Sequence, residues 1–396
     1  MSEASVRRRF LLVNLPYGPF GRELAEALRT AGAEVGHMVF NAGDLIDRRG
    51  PGGIEFRGRP DAWPAAWRTL APAWTDAVVY GEGRWQARPV LDTAGSRPRV
   101  WVLENGYFRP DWVTLERDAV AAGSPVLPRT AAAYSGHSPE APEPDPVGPL
   151  TRPLVLAVTR YWLAEHILPI FPRHDPGFDV PPWRQAAGHL LRWLRLRFSP
   201  PVDPARIAAK GAFFLVCLQR EGDTQLTRHS DLKTNAAFID RVVEDFARNA
   251  PPEVRLVIKN HPLDPAVIDQ RRAVRTSAAA HGVEDRVDFI DGGALAPLCR
   301  ASRGLVVNNS SSALAALGFG TPVKVLGRAF FDFEGLTDPG PLAGFWAAPT
   351  PPDPDLFLRF RAAVIARTQI NGSFEGPRLR ARTARRVAER MLAAAD

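Results

Sequence analysis

From residue 212 onward the chain alternates short, nearly uncharged apolar runs with longer stretches of helical periodicity, and this alternation constrains the fold more than any other feature. "AFFLVCLQ", "VRLVIKN", "RVDFID", "GLVVNN" and "PVKVLG" read as strands. "AAFIDRVVEDFARNA", "PAVIDQRRAVRTSAAAHG", "LAPLCRA" and "SALAALGFG" read as the helices between them. The chain opens the same way. "FLLVNL" (10–15) reads as a buried parallel strand, followed by a glycine-containing turn and an amphipathic helix ending at Gly32, and further strands are expected at "EVGHMVFN", "AVVYG" and "RVWVLENG". Such alternation is that of a doubly wound α/β sheet, and 396 residues suffice for two cores. The expected division is a Rossmann-like domain at 1–205, a second at 206–370, and a basic helix at 371–396 packing back on the first. The Pro-rich, acidic stretch "GHSPEAPEPDPVGPL" (136–150) is expected to be a surface loop.

Ligands of open α/β sheets bind outside the carboxyl ends of the strands. Two such domains facing a central cleft would present their strand ends to it, and four of those ends carry polar clusters. "LVIKNHPLDP" closes a strand with Lys259 and His261 just before Pro262, a compact anion-binding patch suited to phosphate. "CLQREGDTQLTRHS" places Gln219, Asp223 and His229 in the loop leaving another strand. "VVNNSSSALAALGFG" runs through Asn309, Ser310, Ser311 and Ser312 into a helix; a simple cap explains one serine and leaves the others for an anion at the helix start. "LENGYFRPDW" ends a strand with Glu104.

Lys and Arg number 50 against 43 Asp and Glu, so the chain is basic and suits anionic partners. Cys217 and Cys299 lie in apolar surroundings without disulfide or metal spacing and are expected to be buried free thiols. No glycine-rich dinucleotide or P-loop motif is present. The D-x-D at Asp353 and Asp355 lies in a proline-rich loop away from the strand ends, so no metal is expected. No run reaches the roughly 18 apolar residues of a membrane span, and the amino terminus has no signal-peptide pattern, which leads to a cytoplasmic expectation.

Together, "NLPYGPFGRELAEALRTAG", "FNAGD", "ENGYFRPDWVTLE", "LQREGDTQLTRHS", "KNHPLD", "NNSSSALAALGFGTPVKVLG" and "FFDFEGLTD" resemble the capsule polysaccharide biosynthesis family, and within it the KpsS-type transferases. The resemblance implies a GT-B-like fold, with an acceptor domain first and a nucleotide-sugar domain second. It implies a retaining transfer of Kdo from CMP-Kdo to a phosphatidylglycerol-type lipid, starting the β-Kdo linker of capsular polysaccharide. Capsule assembly proteins are possible partners and nucleic acid is not. By position it gives Lys259 and His261 to the nucleotide phosphate, Asn309 to Ser311 to CMP, and Glu104 and Asp223 to the chemistry. By analogy with retaining glycosidases, Asp223 is expected as nucleophile and Glu104 as base. A monophosphate leaving group can be neutralised by Lys, His and a helix amino terminus without metal. Other classes to separate are a GT-B-like nucleotide-sugar epimerase and a non-catalytic assembly or export partner.

"PPWRQAAGHLLRWLRLRFSPP" (181–201) interleaves Trp183, Leu190, Leu191, Trp193, Leu194, Leu196 and Phe198 with Arg184, Arg192, Arg195 and Arg197. It reads either as a helix covering the first domain's core or as one lying in the headgroups of an anionic inner-membrane face. The resemblance to lipid-modifying enzymes favours peripheral attachment.

Overall fold

The computed structural model describes residues 7–48, 50–168, 170–171 and 182–394. Pro181 and residues 1–6, on which sequence expectations touched, lie outside the described residues. Among the described residues, twelve strands form two sheets: β1 (Arg9–Leu12), β2 (Glu34–Val39), β3 (Gly53–Glu55), β4 (Asp76–Tyr80), β5 (Arg99–Asn105), β6 (Trp112–Arg117), β7 (Phe213–Cys217), β8 (Arg255–Lys259), β9 (Val287–Ile290), β10 (Gly304–Val307), β11 (Val323–Val325) and β12 (Gln369–Asn371).

The chain divides into two compact units. The first comprises Met1–Val126, Pro142–Gly177 and Val364–Asp396; the second comprises Leu127–Ala141 and Phe178–Ala363. These divisions do not coincide with the sequence-based boundaries at 205 and 370. Helix Pro182–Phe198 belongs to the second unit, held there by an ion pair described below.

In the first unit the strand order is β12-β6-β5-β4-β1-β2-β3. β1 to β5 run parallel, and β6 and β12 extend the sheet antiparallel. Side chains of a strand alternate between faces. Accordingly Phe10 and Leu12 join Leu24, Leu28, Val387 and Met391 in one apolar layer, while Leu11 and Val13 join Trp63 and Trp67 in the other. The basic helix Arg380–Ala393 thus packs on helix Phe20–Thr30, and Arg380 pairs with Glu23 at 2.9 Å.

The second sheet has the order β11-β10-β7-β8-β9, parallel throughout. Phe214, Val216, Leu256 and Ile258 pack against Phe238, Val242 and Phe246 of helix Asn235–Asn249. Trp346 joins them, its indole donating to Asp245 at 2.8 Å.

The parallel strands of each sheet repeat one winding: the chain lays strands to one side of the first, then crosses to the other side. The reversal falls between β1 and β4 in one unit and between β7 and β10 in the other. A crevice opens at such a reversal, on the carboxyl side of the strands.

Candidate functional site

In the second unit the reversal is bridged by a hydrogen bond between the two strand ends. The Asn309 backbone N–H, just past β10, donates to Gln219 Oε1, just past β7, at 3.3 Å. Asn309 Nδ2 donates to the carbonyls of Gln225 at 2.7 Å and His229 at 3.2 Å, so one asparagine holds the whole loop after β7. Its Oδ1 is buried without a partner among the described residues, as is that of Asn308. Buried polar atoms are normally satisfied, so these two acceptors are available to a donor group brought by a ligand.

Asp223 occupies the start of helix Thr224–His229, where its carboxylate accepts from the Gln225 N–H at 2.8 Å. Gly222 makes the turn before it at φ +75°, a conformation that a Cβ disfavours. Asp223 stays half-buried at the rim, and His229 closes the same short helix.

Lys259 ends β8 with only 6% of its surface exposed. Its ammonium makes one long hydrogen bond, to the Asn260 carbonyl at 3.4 Å, and no ion pair among the described residues. Burial draws its pKa below the ordinary lysine value. Burial likewise pushes the neighbouring Cys217 thiol up to about 11, against the opposing influence of Lys259 and a hydrogen bond with Ser312. Lys259, Cys217 and Ser312 are therefore adjacent. Both cysteines are buried free thiols.

Ser312 donates from N and Oγ to Ser310 Oγ at 3.3 and 2.9 Å, and Ser311 holds the cap position without a side-chain cap bond. The serines thus bond mainly to one another. His261 accepts the Leu263 N–H at Nδ1, 3.1 Å away, which leaves the proton of a neutral ring on Nε2.

Sequence reasoning named these second-unit residues separately, and the fold gathers them at one edge of one sheet. Glu104 belongs to the first unit, where it ends β5 with Oε1 accepting from the Asn105 N–H at 2.8 Å. Its Oε2 lies 3.2 Å from where a Cβ on Gly81 would stand, so the absence of a side chain at the end of β4 makes room for the carboxylate. Arg84, on the same turn, was not singled out from sequence, although a polar residue in a glycine-containing loop after a buried strand is the signal that marked the other candidates.

The sequence profile described as "Capsule polysaccharide biosynthesis protein" matches residues 75–375, which contain every one of these strand ends except β1 to β3. The chain belongs to the capsule polysaccharide biosynthesis protein family. It is 33% identical over 387 residues to "Capsule polysaccharide modification protein LipB" of Neisseria meningitidis serogroup B, covering 92% of this chain and 91% of that protein. It is 29% identical over 379 residues to "Capsule polysaccharide export protein KpsS" of Escherichia coli, covering 93% and 97%. Among solved structures it resembles "Thermosulfurimonas dismutans KpsC, beta Kdo 2,7 transferase" at 14% identity and a TM-score of 0.46, covering 97% of this chain and 100% of that one.

In this capsule-family chain, helix Pro182–Phe198 belongs to the second unit and so does not cover the first domain's core, and its Arg192 points inward and is only 6% exposed. Its Nε and Nη2 reach Asp291 (Nη2 to Oδ1 2.7 Å), and Nη2 also donates to the His261 carbonyl at 3.1 Å. Nη1 donates to the carbonyls of Pro262 at 2.7 Å and Asp264 at 2.8 Å. All donors of a guanidinium are used, and the loop carrying His261 is clamped. Arg195 also pairs with Asp291. Arg192 is therefore removed from the set of membrane-facing cations; Arg184 and Arg197 remain exposed beside Trp183, Leu190, Leu191, Trp193 and Phe198. No helix among the described residues is long and apolar enough to cross a membrane. Asp353 of the D-x-D caps helix Pro354–Thr368, accepting from the N–H groups of Asp355 at 2.9 Å and Leu356 at 3.1 Å.

Proposed function

We propose that this protein is a retaining glycosyltransferase of GT-B type that moves Kdo from CMP-Kdo to a phosphatidylglycerol-type lipid, starting the β-Kdo linker of capsular polysaccharide. The observation that carries the reading is Lys259: a buried ammonium with no ion pair among the described residues, at the carboxyl end of β8 opposite Cys217 of β7, the strand whose other neighbour, β10, leads into Asn309 and its unsatisfied acceptor. A buried cation is costly unless an anion joins it. A nucleoside monophosphate supplies the anion, and its base or ribose supplies donors for Asn309. Family membership narrows the donor to one used in capsule synthesis.

In the proposed reaction the Asp223 carboxylate attacks the anomeric carbon, and the bond to the phosphate oxygen breaks with its electron pair leaving on CMP. His261 and Lys259 bind that phosphate as its charge grows. Glu104 then takes the proton of the acceptor hydroxyl, whose oxygen attacks the same carbon and displaces Asp223, restoring the original configuration. No metal takes part. The exposed apolar and basic face of helix Pro182–Phe198 suits attachment to the inner face of an anionic inner membrane.

Incubation with CMP-Kdo and short-chain phosphatidylglycerol, with and without EDTA, tests the reading. Release of CMP together with a Kdo-lipid in both conditions is expected. Turnover of the nucleotide-sugar independent of lipid would replace it with an epimerase, and absence of any CMP with a non-catalytic assembly role.

A further inference from the structure

Arg84 stands on the turn that leaves β4, at the reversal between β1 and β4. Its guanidinium lies over the rings of Tyr17 and Tyr80, 4.5 and 5.6 Å from their centroids. The side chain makes one long hydrogen bond, from Nη1 to the Leu15 carbonyl at 3.4 Å, and among the described residues it has no ion pair. The buried arginines behave otherwise. Arg48 pairs with Asp44 at 3.2 Å, Arg99 with Asp76 at 3.1 Å, and Arg192 with Asp291 at 2.7 Å.

Of the acids around it, Asp44 and Asp47 are already engaged, while Glu165, whose pKa burial raises and Arg84 opposes, forms no ion pair with it among the described residues. Asp44 takes Arg48, the Tyr161 hydroxyl at 3.2 Å and the Phe40 N–H at 3.0 Å. Asp47 takes Arg160 and the Gly18 N–H at 2.6 Å. The same edge holds a second unsatisfied group: Asn14, 2% exposed, donates Nδ2 to the Tyr80 carbonyl at 2.9 Å and leaves Oδ1 without a partner. A partly buried guanidinium with most of its donors unused, resting on two aromatic rings, is arranged for a planar, two-oxygen contact with an anion.

The geometry points to Arg84 as the binding site for the phosphodiester of the acceptor, set beside the carboxylate that would deprotonate the acceptor's hydroxyl. This rests on the reading of the chain as a transferase to an anionic lipid, and it adds the group that recognises that lipid. Glu104 and Arg84 flank one turn: Glu104 occupies the space over Gly81, and Arg84 follows on the same loop. Burial is the chief cause that raises the Tyr80 phenol pKa; Glu104 adds to the rise and Arg84 opposes it, which puts both charges near the one ring. A headgroup carrying a phosphodiester next to a free hydroxyl matches this pair of charges.

The full-length chain would be treated with phenylglyoxal and labelling at Arg84 followed by mass spectrometry. Dihexanoylphosphatidylglycerol is expected to protect Arg84, and dihexanoylglycerol, which lacks the phosphate, to leave it reactive. Equal protection by inorganic phosphate would overturn the acceptor assignment. In calorimetry, Arg84→Gln should weaken dihexanoylphosphatidylglycerol binding by about tenfold or more, with Arg84→Lys intermediate and CMP affinity unchanged in both. Thermal melts confirm folding of the variants, and the labelling experiment needs none. A wild-type chain that binds CMP but not the phosphodiester, or an Arg84→Gln variant with unaltered lipid affinity, would sink this assignment alone. Phosphodiester binding through Arg84 without CMP binding would instead sink the donor reading.

Discussion

Arg192 and Asp291 face each other at 2.7 Å with both side chains buried, and through this pair a surface helix holds the loop that carries His261. Removing one member of a buried ion pair strands the other, so Arg192→Ala should destabilise the protein by about 3–5 kcal/mol in chemical denaturation. Burial raises the Asp291 pKa, but Arg192 and then Arg195 outweigh it and hold the carboxyl below its ordinary range. A carboxyl depressed in the folded state contributes stability above its unfolded pKa, and that contribution is lost as pH falls through the folded value. The acid-unfolding midpoint should therefore move to higher pH in Arg192→Ala; an unmoved midpoint would show that the pair adds nothing to acid resistance.

Gly81→Ala puts a methyl at φ +68° and 3.2 Å from Glu104 Oε2. The carboxylate must shift, so transfer should fall by about ten- to a hundredfold while CMP affinity is kept. Unchanged transfer rates would remove Glu104 from the chemistry.

Asp223→Asn retains a residue that caps helices as well as aspartate does, so the helix Thr224–His229 should persist. Transfer should drop by several orders of magnitude with CMP still bound. Mass spectrometry of the unaltered protein with donor alone should find the sugar on the peptide containing Asp223; an adduct on the Glu104 peptide would exchange the two roles.

His261→Ala should cost donor binding about 1–3 kcal/mol, the range for a hydrogen bond to a charged phosphate. Calorimetry with CMP reads this directly, and equal affinity would take His261 out of the site.

Attachment to lipid is best tested away from Arg192. Changing Leu191 and Trp193, both exposed on helix Pro182–Phe198, to glutamate should abolish sedimentation with phosphatidylglycerol vesicles and spare turnover of a short-chain acceptor. Vesicle binding that survives would place the membrane contact on another surface.

Most of the parallel strands were legible because each is a short apolar run with its own start and stop, and Gln219, Lys259 and Asn309 stood out as polar residues where those runs end; β3, only Gly53–Glu55, offers no such run and was not expected. Some of what escaped depends on distant partners. β12 is three residues long and exists as a strand by pairing with β6, more than 250 positions away (Gln369 opposite Thr114). Arg192 is one of several arginines at similar spacing, and nothing local distinguishes it from Arg195 or Arg197; the difference is Asp291, supplied from the end of β9. Arg84 escaped because its significance lies in the partners it lacks, which a sequence does not display.

The first unit is built from both extremes of the chain: Leu24 and Leu28 rest on Val387 and Met391. During synthesis that layer cannot close until residue 391 has emerged, whereas the strands of the second unit, from Phe213 to Val325, are complete well before. Translation therefore imposes an order, with the strand ends around Lys259 assembled while the carboxylate at Glu104 still waits on an unfinished sheet. Ribosome-bound chains stalled after residue 363 should resist protease across the second unit and be cut within residues 7–126. A finished protein clipped before helix Arg380–Ala393 should revert to the same pattern, and resistance of residues 7–126 in either case would show that the amino-terminal strands fold without their late-arriving partner.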